Sequence, residues 1–103
     1  MGNNAPSVRG SVTKVEKSAS EIWRRVVACE GTTFRQIRGG EFSYEVRGDR
    51  LILDRTNQFI SKDQLFQAVQ LVPLSSTKPV QHLRAPSYLF AILMDERVRQ
   101  GDW

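Results

Sequence analysis

The chain has 103 residues, 40% of them hydrophobic and 25% charged, and a formal net charge of +4 at pH 7. That length and balance suit one folded domain with one modest core and exclude wholesale disorder. One Cys and one His are too few for a four-ligand zinc site, Cys29 has no partner for an internal disulfide, and no run nears the roughly 20 apolar residues of a membrane span. A cytoplasmic protein without metal or cofactor is the expectation.

Met1 to Gly10 is polar, carries Gly, Asn and Pro, and reads as a flexible arm ahead of a single domain over 11–103. Helical periodicity follows, with Ala19, Ile22, Trp23, Val26 and Val27 on one face. Ser18 and Glu21 form a capping-box signature and Gly31 a stop, while Val12 and Val15 extend the stripe back towards Ser11. The period then shifts to two. Thr32 to Arg38, Glu41 to Val46 and Leu51 to Thr56 are expected as a three-stranded antiparallel meander, with turns at Gly39-Gly40 and at Arg47 to Arg50.

Ser61 is a second helix start, with Gln64 at N3 and Ile60 and Leu65 placed as a hydrophobic staple; the helix should run from Lys62 to about Leu71 and stop before Pro73. Leu74 to Ala85 reads as a loop, and Pro86-Ser87 opens a last short helix. The expected fold is α+β: an N-terminal helix, a three-stranded meander, then two helices.

Acid/base catalysis at neutral pH most often uses histidine, and His82 stands in the loop without a flanking carboxylate. Cys29, near the end of an amphipathic helix, reads as a small buried hydrophobe. Glu41 and Glu45 share a strand face but are better placed to pair with arginines on neighbouring strands. No phosphate loop or dinucleotide fingerprint is present. An enzyme acting on a small molecule is therefore the weakest functional expectation.

Eleven of the fifteen cations are arginine, a side chain suited to bidentate acceptors such as phosphate and guanine edges. Arg35, Arg38, Arg47, Arg50 and Arg55 cluster in the meander and are candidate nucleic-acid contacts; Arg24-Arg25 add to them on the first helix. The element order from Ser18 to Val72 resembles that of a double-stranded-RNA-binding domain, although the second helix opens Ser61-Lys62-Asp63-Gln64 and lacks a lysine cluster. Glu41, Glu45, Asp49 and Asp54 interleave with these arginines, so cross-strand ion pairs are the competing expectation.

Phe42 to Val46 centred on Tyr44, Ile60-Ser61-Lys62 opening a helix, and Pro86 to Leu93 followed by Asp95 and Arg97 together resemble small bacterial proteins of the mobile-element or gene-cassette kind. The resemblance implies a bacterial cytoplasmic protein and no particular activity.

The leading expectation is a non-enzymatic binding or adaptor protein whose partner is another protein or its own copy. Tyr88 to Met94 leaves no polar helical face, and a helix of that kind must be covered all round. A two-fold dimer would cover it through Tyr88, Phe90, Leu93 and Met94; the intramolecular alternative is closure by Leu74 to Ala85 and Trp103. A nucleic-acid-binding protein using the arginine-rich sheet is the second expectation.

Overall fold

Ser18 sets the start of the first helix, α1, Ala19–Ala28: its backbone is extended and its hydroxyl accepts the Glu21 N–H at 3.1 Å. The structure, a computed structural model, describes residues 18–103. The arm expected over 1–10 and the upstream stripe of Ser11, Val12 and Val15 lie outside the described residues. Ile22, Trp23 and Val26 bury the predicted face. The helix closes at Cys29, two residues before the expected stop. Gly31 follows at a φ of 81° and donates its N–H to the Tyr44 carbonyl at 3.0 Å, a backbone turn that glycine adopts without steric cost.

The expected meander is five short strands in two small sheets. Strands β1 (Phe34–Arg35) and β2 (Glu41–Phe42) pair antiparallel, and β3 (Tyr44–Arg47), β4 (Arg50–Leu53) and β5 (Phe59–Ser61) form a sheet in that order. The run expected as one strand from Glu41 to Val46 breaks at Ser43. There the Asp54 carboxylate accepts the Ser43 N–H and hydroxyl at 3.0 and 3.2 Å, replacing ladder partners. The alternation survives the break, since Phe42 and Tyr44 are buried while Glu41 and Glu45 are exposed.

Strand β5 was not expected, because Ile60 and Ser61 carry the signature of a helix start. They serve both roles. Ile60 faces Leu51 across the ladder, and Ser61 pairs with Arg50 while its hydroxyl accepts the Gln64 N–H at 3.1 Å to cap helix α2, Lys62–Val69. Ile60 and Leu65 are fully buried, as a staple requires. Helix α2 ends two residues short of Leu71.

The segment from Leu74 to Ala85 includes a 3-10 turn at Lys78–Val80 and buries Leu74, Val80 and Leu83. Helix α3, Pro86–Leu93, and a further short helix α4, Glu96–Arg99, capped by Asp95, complete the chain. The α+β class stands, with two more strands and one more helix than expected. Phe34 stacks on Phe42 and Tyr44 with centroids 5.7 and 5.4 Å apart, and Tyr88 meets Phe42 edge-on at 4.7 Å, joining α3 to both sheets. Among the described residues no helix is long and apolar enough to cross a membrane.

Candidate nucleic-acid interface

The register of the larger sheet sorts its side chains into two faces. Tyr44, Leu51, Leu53 and Ile60 point into the core, whereas Glu45, Arg47, Arg50, Ile52 and Phe59 stand on the outer face. Arg47 lies opposite Arg50 and Ile52 opposite Phe59, because the two-residue turn at Gly48-Asp49, with Gly48 at a φ of 60°, locks the hairpin register.

The five candidate arginines separate by partner. Arg35 is directly opposite Glu41 and pairs with it at 2.8 Å, and Arg47 pairs with Glu45 at 3.2 Å, so carboxylates neutralise both. Arg55 donates to the Glu41 carbonyl at 2.8 Å. Arg38 sits in the turn after β1, on a cleft of about 540 Å³ shared with Gln36, Ile37 and Ser87. Arg50 differs from these in its ring contact: its guanidinium lies 4.6 Å from the Phe59 centroid, and like Arg38 and Arg55 it has no carboxylate partner among the described residues.

Arg84, absent from the sequence-derived set, reaches the same ring from the loop before α3, at 5.1 Å and likewise without a carboxylate. Two features hold it there. Its backbone N–H donates to Gln64 Oε1 at 2.9 Å, and Ala85 after it is left-handed at φ 55°, ψ 54°. A non-glycine residue in that region carries about 1–2 kcal/mol of backbone strain, which the buried surroundings of Ala85 sustain. Both guanidiniums sit against one ring and so lie within about 10 Å of each other, a Debye length at 0.1 M salt. Their fields reinforce.

A cleft of about 520 Å³ opens beside Arg84 and is lined also by Gln58, Gln64 and His82, with no carboxylate in its wall. His82 thus meets amides and a guanidinium rather than an acid that could orient it for proton transfer. A second depression, of about 310 Å³, continues from Arg50 past Ser61 and Lys62, but Asp49 and Asp63 flank it. Of the two, the wall free of carboxylates is thus the one beside Arg84, whereas in the second depression Asp49 and Asp63 offset Arg50 and Lys62. Among the described residues no group of three or more His, Cys, Asp or Glu side chains could hold a metal ion.

The residues expected at a self-contact are used within the chain. Leu93 is fully buried and its carbonyl accepts the Trp103 indole N–H at 2.8 Å; Met94 Sδ accepts the Leu74 N–H at 3.4 Å; Tyr88 and Phe90 are half-buried against the core. The loop and Trp103 bond to α3 from inside the chain, while Tyr88, Phe90 and Met94 keep part of their surface exposed. Leu93 in particular offers no surface to a second copy.

Phe59 escaped the sequence reading because it lay outside the expected strands, and Arg84 because no spacing rule connects residues 59 and 84. The usable signal was turn-type Thr56-Asn57-Gln58 directly before Phe59-Ile60, which marks a strand start. Comparison with family models, with curated proteins and with solved structures gave no match.

Proposed function

We propose that this chain is a non-enzymatic binding protein that engages nucleic acid through the outer face of its three-stranded sheet. The observation that carries the reading is the convergence of Arg50 and Arg84 on Phe59 without a carboxylate, while Arg35 and Arg47 are paired. Two like charges left uncompensated side by side create a site whose natural complement is an anion. Arginine's planar fork and weak hydration suit phosphate.

The test is fluorescence anisotropy of a labelled mixed-sequence oligonucleotide between about 50 and 200 mM salt. Affinity should fall steeply with salt, and Arg50→Ala and Arg84→Ala should each flatten the log–log slope by about 0.7–1. Arg35→Ala serves as the control and should change little. Salt-insensitive or absent binding, or an equal loss with Arg35→Ala, overturns the proposal.

A further inference from the structure

The geometry points to a second site, in the cleft between the β1–β2 turn and α3, for a small phosphomonoester that carries an apolar group. It is independent of the outer-face reading, with which it shares no residue. The cleft of about 540 Å³ lies within the roughly 300–1,000 Å³ of small-ligand sites and has no carboxylate in its wall. Ser76, Thr77 and Ser87 line it half-buried, and Ile37 and Arg38 line it exposed.

Each of those hydroxyls accepts a hydrogen bond within the chain and donates none among the described residues. Gln36 Nε2 donates to Ser87 Oγ at 2.9 Å, Gln81 Nε2 to Thr77 Oγ1 at 2.8 Å, and the Lys78 N–H to Ser76 Oγ at 3.2 Å. A hydroxyl carries one proton of its own, so all three O–H groups are left to donate to a ligand. Arg38 adds a guanidinium fork with no carboxylate partner among the described residues. Such a surplus of donors selects an anion. A carboxylate or a phosphodiester offers two charged oxygens, whereas a phosphomonoester offers three and about −1.5 to −2 of charge, the better match to three hydroxyls and a fork.

The apolar group follows from Ile37, the large hydrophobic side chain that stands exposed among the described residues, at 61%. A closed turn holds it out. The Gln36 N–H donates to the Gly40 carbonyl at 2.8 Å and the Gly39 N–H to the Gln36 carbonyl at 2.8 Å, which keeps Ile37 and Arg38 together at the tip. Glycine at position 40 leaves room for the Gln36 amide, since a Cβ there would lie 2.9 Å from Gln36 Oε1, and that amide ties the turn to α3 through Ser87. A phosphate group fills only a fraction of the cleft, so its ester substituent has space to lie against Ile37.

The isotope-labelled protein should be titrated at constant ionic strength with inorganic phosphate, phenyl phosphate and benzoate, at a pH of about 7.5 where a phosphomonoester is largely dianionic, and read from amide chemical shifts. Both phosphates should move Ile37, Arg38, Ser76, Thr77 and Ser87, with phenyl phosphate about three- to tenfold tighter than inorganic phosphate. Benzoate, the same ring on a carboxylate, should bind about tenfold more weakly than phenyl phosphate. Ile37 and Arg38 are exposed, so replacing them leaves the core intact. Ile37→Ala should lower phenyl phosphate to the affinity of inorganic phosphate, and Arg38→Ala should weaken both phosphates about tenfold. Inorganic phosphate or benzoate bound as tightly as phenyl phosphate overturns the inference, as does unaltered phenyl phosphate binding in either variant. Shifts centred on Arg50 and Arg84, or no binding up to about 10 mM, overturn it too, and none of these results touches the outer-face reading.

Discussion

Replacing Arg25 by Ala should destabilise the protein more than any other single arginine substitution on α1 or the sheets. Arg25 is 8% exposed; its Nη1 donates to the Val98 carbonyl at 2.8 Å and to that of Arg99 at 3.3 Å, and its Nη2 pairs with Asp102 at 2.6 Å. Those carbonyls end α4, a helix of four residues that has no stability of its own. Stranding the buried Val98 oxygen costs about 1–3 kcal/mol. Asp102 keeps some water, with its side chain 18% exposed, so losing the ion pair costs less than the roughly 3–5 kcal/mol of a fully buried one. A total near 3 kcal/mol follows, out of the about 5–15 kcal/mol that holds a domain together.

Urea unfolding followed by far-UV circular dichroism measures it, with the midpoint falling by roughly 1–3 M at unchanged slope. Arg25→Lys retains the charge but not the fork and should recover only part of the loss. A loss under about 1 kcal/mol for Arg25→Ala, or full rescue by lysine, would refute the reasoning.

Three further outcomes are expected. The Arg97 guanidinium beside Asp95 holds its carboxyl below the ordinary value of 3.8, so the pair stabilises the fold above that pH and the effect is lost as pH falls through the lowered folded value. Asp95→Asn, which can still cap α4, should therefore cost about 1 kcal/mol at pH 7 and progressively less in acid; a pH-independent difference contradicts the pairing. Burial raises the Tyr44 phenol above its ordinary value of 10.0, which makes the folded state lose stability as pH rises beyond that value; ultraviolet titration should show one of the two tyrosines ionising only on unfolding. Cys29 is buried and its thiol is pushed up by that burial, so a thiol reagent should modify the native protein only as fast as it opens, and rapid stoichiometric reaction speaks against the packing of α1.

Elements defined by local rules were legible in the sequence. Ser18 and Ser61 cap the helices assigned to them, and the alternation of Phe42, Tyr44 and Val46 with Glu41 and Glu45 marks the buried face despite the break at Ser43. The break itself depends on Asp54, eleven residues away, and no local pattern announces it. Arg24 and Arg25 read alike as helical cations, yet their side chains are 70% and 7% exposed. The difference was present in the spacing, since Arg25 is three residues after Ile22 and four before Cys29, on the apolar face. The candidate site was half visible. Arg50 belonged to the expected set, and cross-strand pairing of Arg35 with Glu41 was the stated competitor. Phe59 and Arg84 meet only through the register of β5 and the fold of the loop before α3.

The most direct test of the outer-face account is a residue-resolved titration of the isotope-labelled protein with a mixed-sequence oligonucleotide, read from amide chemical shifts by nuclear magnetic resonance. The account predicts shifts concentrated at Arg50, Ile52, Phe59, Gln64 and Arg84, with the paired hairpin of Arg35 and Glu41 unmoved. An unchanged spectrum, or shifts centred on that hairpin or on the turn bearing Arg38, would contradict it.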